Sequence, residues 1–150
     1  MEGYFNFVSL EKKLRYTLGK TERLKSRKTI EQLFKEGKSF SIYPFRVLFL
    51  FNQPASDNNR LSTQHAPLQA GFTVSSRHFK KAVHRNRIKR LMKESYRLQK
   101  NNLEEITVLN NNSLAVFFIY IGKEIAAYEL VYEKINLVVQ RLINITGGKR

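Results

Sequence analysis

Between Arg85 and Lys100, seven of sixteen side chains are Lys or Arg and one is acidic, yet apolar residues recur at helical spacing. At about 100° per residue, Ile88, Leu91, Met92, Ser95 and Leu98 fall along one stripe. Asn86, Arg90, Lys93 and Arg97 fall opposite, with Lys89 and Lys100 flanking the basic side. A chain carrying this segment has to supply a core for the stripe and either water or a polyanion for the cations. Charge runs on helices are more often solvated faces than binding surfaces, but an exposed helix ordinarily mixes Glu with Lys at i, i+4. Like charges at that spacing repel by a few tenths of a kcal/mol per pair. Here Arg85, Lys89 and Lys93 form an i, i+4, i+8 row, Asn86 and Arg90 another, and only Glu94 opposes them. An unrelieved repulsive row points to a polyanion, and its regular spacing suits the phosphates of RNA.

The excess charge is local. The formal net charge of +15 comes from 27 basic and 12 acidic side chains, and residues 77–100 alone contribute +9, against +5 for 1–40, +1 for 41–76 and none for 101–150. Such a footprint favours nucleic acid over small acidic substrates. The 150 residues suffice for one domain with a core. Absence of cysteine excludes disulfides, thiolate metal sites and a Cys nucleophile. The longest apolar run, Leu114 to Ile121, falls far short of the roughly 20 residues needed to cross a bilayer. The segment Met1 to Phe7 lacks a basic stretch followed by an unbroken apolar one. A cytoplasmic protein with no membrane partner is the expectation.

Catalytic groups are scarce. His65, His78 and His84 form no His-x-x-x-His pair, and Glu104 and Glu105, being adjacent, point apart on any regular element. No glycine-rich phosphate loop occurs. We expect no catalytic residue and no metal bound by the protein alone; the chain binds and positions.

Along the chain, residues 1 to about 20 read as an extension, 21–146 as one α+β domain and 147–150 as a tail. Ile30, Leu33 and Phe34 stripe a first helix that Ser26 or Thr29 can cap and Gly37 can end in a left-handed conformation. Ser39 to Tyr43 reads as a short edge strand. In Pro44 to Phe51, Phe45, Val47, Phe49 and Phe51 alternate with Arg46, Leu48 and Leu50, which makes a strand. Asn52 to Pro67 is turn chemistry and reads as a mobile loop. Gln69 to Ser75 is the next strand, Phe79 to Asn101 the basic helix, and Asn110 to Asn112 a turn. Leu114 to Ile121, apolar without alternation, reads as a central strand covered on both faces. A final helix spans Lys123 to Ile145, with Tyr128, Val131, Tyr132, Ile135, Val138, Val139 and Leu142 on its apolar side. The order is αβββαβα, a four-stranded sheet with three helices.

The string Ala82-Val83-His84-Arg85-Asn86-Arg87-Ile88-Lys89-Arg90-Leu91 resembles the signature of the bacterial ribonuclease P protein component. That family is the small basic subunit of the ribonucleoprotein that removes the 5′ leader from precursor tRNA. Arg23-Leu24-Lys25 with Ile30 to Gly37 is similar to the family's opening helix, and Ala70 to Ser75 to the strand before the signature. The resemblance covers about residues 20 to 145. It implies a left-handed βαβ crossover, as in the ribosomal S5 domain 2-like fold, where the general rule favours the right-handed form. It also implies an RNA subunit holding the catalytic centre and its Mg²⁺, with that RNA and precursor tRNA as partners and no obligate protein partner. By the resemblance, Arg85, Asn86, Arg87, Lys89 and Arg90 touch the catalytic RNA, and Lys93 and Arg97 continue the same row. Phe34, Arg46, Leu48 and Arg77 would line a cleft for the leader. Ile30 and Leu48 stand where relatives often carry aromatics. Charge and amphipathicity alone fit a ribosomal or other structural RNA-binding protein equally well. A DNA reader fits less, because no helix-turn-helix spacing precedes residue 79.

Overall fold

The computed structural model describes residues 18–52, 66–110 and 112–147. A 3₁₀ turn at Lys20–Glu22 leads into α1 (Arg27–Glu36), β1 (Lys38–Ile42), β2 (Phe45–Asn52) and β3 (Leu68–Val74). Then follow α2 (Ala82–Gln99), α3 (Asn101–Leu109), β4 (Ser113–Tyr120) and α4 (Tyr128–Thr146). Residues 1–17, which include most of the expected extension, lie outside the described residues, as do 53–65 of the expected mobile loop and 148–150 of the tail.

The strands form one mixed sheet in the order β1-β2-β4-β3, with β1/β2 and β2/β4 antiparallel and β3/β4 parallel. Alternation in β2 divides its side chains between the two faces of the sheet. Phe45, Val47 and Phe49 join Val116, Phe118 and Tyr120 of β4 and Leu68, Ala70 and Val74 of β3 in the main core, beneath α2 and α4. Leu48 on the opposite face joins Ala115, Leu24 and Leu33 in a smaller cluster beneath α1. Strand β4 is central, and Leu114, Ala115 and Val116 are buried on both of its faces, but further along Phe117 and Ile119 on the α1 side are only half-buried, so the expected cover on both faces holds for the first part of the strand.

The Ser26 hydroxyl accepts the Thr29 N–H at 3.3 Å and caps α1. Gly37 ends the helix, but not in the expected left-handed conformation; its backbone is extended, at φ −73° and ψ 162°. Glycine is needed there for space, since a Cβ would meet the Leu33 carbonyl oxygen at 2.5 Å and that of Phe49 at 3.0 Å.

The expected helix from Phe79 to Asn101 is α2, Ala82–Gln99, and beyond Lys100 a further helix, α3, runs where no element was expected, so the described chain has four α-helices rather than three. The two helices meet at a buried residue. Lys100 does not flank the basic face; it is 1% exposed and held inside by carboxylates. The sequence hid α3 because its buried stripe contains a polar residue, Thr107, whose hydroxyl donates to the Leu103 carbonyl at 2.7 Å. The final helix begins at Tyr128, not Lys123, and its core side consists of Val131, Ile135, Val138, Val139, Leu142 and Thr146. Tyr132 is exposed and Tyr128 half-buried; their rings lie 5.9 Å apart, packed on each other instead of in the core.

Residues preceding α1 cover the outer edge of β3. Arg23 bridges Ala70 in parallel, the Leu24 N–H donates to the Ala70 carbonyl at 2.9 Å, and Gln69 Nε2 donates to the Thr21 carbonyl at 3.0 Å. This pinned segment carries Glu22 to Lys100.

Candidate nucleic-acid interface

Helix α2 buries Ile88, Met92, Ser95 and Tyr96 and leaves Leu91 and Leu98 half-buried. Tyr96, absent from the expected stripe, packs its ring 5.6 Å from Phe72 and 5.5 Å from Phe118. Burial and the nearby Glu104 and Glu22 carboxylates push its hydroxyl well above the ordinary tyrosine range.

The basic residues of α2 divide into two kinds. Asn86, Arg87, Arg90 and Lys93 are exposed and Lys89 half-buried, and no side-chain partner engages them among the described residues. Arg85 and Arg97 are engaged. Arg85 Nη1 donates to the carbonyls of Phe79 at 2.7 Å and Lys80 at 2.9 Å, which ties the loop before α2 to the helix. Arg97 donates through Nε and Nη2 to both oxygens of Glu94, at 3.0 and 2.9 Å, and that hydrogen bonding raises its pKa. The free cations thus cluster in the first three turns of the helix.

A second surface lies on the opposite side of the sheet. Helix α1 packs on β2 and β4 and ends at Gly37 before Lys38, the partner of Phe49 in β2, while the segment before it, at Leu24, bonds Ala70 of β3. Phe34 on α1 is 58% exposed, and its ring meets Phe117 of β4 edge-on, with centroids 5.8 Å apart. Phe117 is paired with Leu48 on one side and Gly71 on the other. A Cβ at residue 71 would lie 2.7 Å from the Phe117 ring, so glycine in β3 is what makes room for that ring. The next row on this face is Ser41, Arg46, Ile119 and Thr73, in which Arg46 and Ser41 are exposed. Among the described residues no helix lies over that row.

Of the residues expected in the cleft, Phe34 and Arg46 line this open face. Leu48, at 6% exposed, belongs to the small core beneath α1 and forms floor rather than wall. Arg77 is exposed beyond the carboxyl end of β3. Phe117 was missed. Within an unbroken apolar run no spacing singles it out; the one hint was a glycine inside the neighbouring strand, where close approach is the usual reason for glycine.

Among the described residues, no three His, Asp or Glu side chains come together to hold a metal, and no helix is long and apolar enough to cross a membrane.

A family model described as ribonuclease P matches residues 18–142. The ribonuclease P protein component of Porphyromonas gingivalis is 32% identical over 135 residues, covering 89% of each chain. That of Chlorobium phaeobacteroides is 31% identical over 133 residues, covering 84% of this chain and 88% of that one. Among solved structures, the Staphylococcus aureus RNase P protein superposes with a TM-score of 0.56 at 17% identity, over 80% of this chain and 94% of that one. The Thermotoga maritima RNase P protein gives 0.54 at 23% identity, over 80% and 96%. These structures share the α+β fold with its four-stranded mixed sheet.

Proposed function

The chain belongs to the ribonuclease P protein family, and we propose from that premise that it is the protein subunit of a ribonucleoprotein that removes the 5′ leader from precursor tRNA. In this reading Arg87, Lys89, Arg90 and Lys93, with Asn86, contact the catalytic RNA. Arginine offers a planar donor fork to phosphate, and asparagine can bond phosphate or sugar. Arg85 acts one step removed, by holding the loop that precedes the helix. The leader, being single-stranded, passes over the open sheet face, where Phe34 and Phe117 present aromatic surface for a base and Arg46 a cation for its phosphate. Stacking of one base contributes roughly 1 to 3 kcal/mol and tolerates any sequence.

The observation that carries this reading is the set of unneutralised cations on α2 in a chain that matches the family along most of its length. The connection from β3 through α2 and α3 to the parallel β4 takes the left-handed path of the ribosomal S5 domain 2-like fold. The protein works in the cytoplasm and requires no further protein. Mg²⁺ enters with the RNA subunit.

The test is cleavage of a precursor tRNA by the catalytic RNA over a Mg²⁺ series, with and without this protein. A lowered Mg²⁺ requirement is expected. Superimposable curves would remove the proposal.

A further inference from the structure

We propose that the open edge of β1, with the groove between it and α4, docks an extended segment of a partner protein. The segment adds to the sheet as a further strand and carries apolar and acidic side chains by turns on the side that faces α4. The two edges of the sheet differ. Along β3 the segment before α1 bridges Ala70 and accepts from Gln69, whereas nothing pairs with the outer edge of β1 among the described residues. A strand at an open edge leaves main-chain N–H and C=O groups unpaired, and another polypeptide strand satisfies them in a way that RNA does not. Lys38, at one end, is the single charged side chain of β1.

Phe40 and Ile42 of β1 lie on the main-core side of the sheet, paired with Val47 and Phe45, and are half-buried. Helix α4 runs beside them. At one end Leu130 shares a cavity of about 410 Å³ with Tyr43, Pro44 and Ile125, and towards the other the Arg141 guanidinium lies over the Phe40 ring at 4.6 Å. Between these anchors the i, i+4, i+7 and i+11 positions of the helix follow one line and carry Leu130, Lys134, Leu137 and Arg141, apolar and cationic by turns. Leu130 is 40% and Leu137 45% exposed. No carboxylate pairs with Lys38, Lys134 or Arg141 among the described residues. Glu129 and Glu133 are exposed on the outward side of α4, and Lys123 and Glu124 offset each other at the cavity. Positions along the line are about 4.5 to 6 Å apart, and alternate residues of a strand about 6.6 Å apart. A strand laid antiparallel to β1 therefore sets apolar side chains at Leu130 and Leu137 and carboxylates at Lys134 and Arg141. A second copy of this chain fits worse, because two β1 edges paired about Phe40 would bring two Arg141 guanidiniums together. The groove shares no side chain with the free cations of α2 or with the open sheet face, so docking leaves both exposed.

The experiment measures, by anisotropy, binding to the full chain of a fluorescein-labelled seven-residue peptide. It carries leucine at its first and fifth positions, glutamate at its third and seventh, and threonine between them. Saturable binding is expected. Leu137→Ser and Lys134→Glu should each weaken it about fivefold, and Lys134→Glu should instead prefer the peptide with lysine at its third position. Unchanged thermal unfolding establishes that the variants fold. Methylating one alternate set of peptide backbone nitrogens should abolish binding and methylating the other set should not, because alternate residues of a strand bond one neighbour. No binding by wild type, equal binding by folded Lys134→Glu, or tolerance of both methylated sets overturns the proposal. A chain dimer that the peptide dissociates, seen by sedimentation velocity, would make a second copy the occupant. Displacement of the peptide by a single-stranded oligoribonucleotide would give the groove to RNA, and either result sinks the partner-protein assignment.

Discussion

The Lys100 ammonium lies 3.2 Å from a Glu22 carboxylate oxygen and 3.6 Å from Glu104, with its own side chain almost wholly buried. The pair joins residues 78 apart in sequence and fixes the point where α2 gives way to α3. It lies where the pinned segment before α1 meets the end of the basic helix.

Removing one partner of a buried pair leaves a charge without compensation. Lys100→Met is therefore expected to destabilise the chain by about 3 kcal/mol, and Glu22→Gln/Lys100→Met to regain more than half of that loss. Chemical denaturation measures both. A Lys100→Met midpoint equal to wild type would show that the pair contributes nothing.

The two kinds of cation on α2 differ in what they can give to RNA. Arg87→Ala and Arg90→Ala are each expected to lower the slope of log K against log salt by up to about 0.9, the value for one phosphate contact on a duplex. Arg97→Ala is expected to change the slope by less than half as much, because Glu94 already neutralises it. Equal effects for all three would mean that the Arg97–Glu94 pair opens on binding.

Gly71→Ala places a methyl group 2.7 Å from the Phe117 ring and 3.3 Å from Leu24 Cβ. The ring has to swing away from Phe34. We expect a stability loss of about 1 to 2 kcal/mol together with weaker binding of a single-stranded oligoribonucleotide. Retention of wild-type affinity in the folded variant would remove Phe117 from the binding surface.

Tyr96 supplies an alkaline limit. Its hydroxyl titrates higher in the folded chain than the ordinary value near 10 that it recovers on unfolding. Above about pH 10 the unfolded chain therefore binds fewer protons, and stability falls as pH rises, by up to about 1.4 kcal/mol per unit from this group. Thermal unfolding of wild type against Tyr96→Phe from pH 9 to 11 should show a flatter decline in the variant. Parallel curves would remove Tyr96 as the cause.

Much of this was legible in the chain, for identifiable reasons. Residues such as Phe45, Val47 and Phe49 repeat every second position, and Val131, Ile135, Val138 and Leu142 every third or fourth, because the main core lies on one side of each of these elements. The central place of β4 was readable from its lack of period. Local charge density marked the outward face of α2 as a row of cations, since helical angles follow from residue number alone.

Tertiary structure decided the rest. Lys100 counts as a surface cation on any helical projection, and only the arrival of Glu22 from the far edge of the sheet turns it inward. Arg90 and Arg97 both lie within a turn of Glu94 in sequence, and the folded side-chain arrangement gives Glu94 to Arg97. The pairing of Phe34 with Phe117, beside Gly71, depends on strand register and on a helix packed over β2 and β4. Periodicity fixes which face of an element a side chain occupies; what that face meets depends on parts of the chain far away in sequence, and this no local pattern encodes.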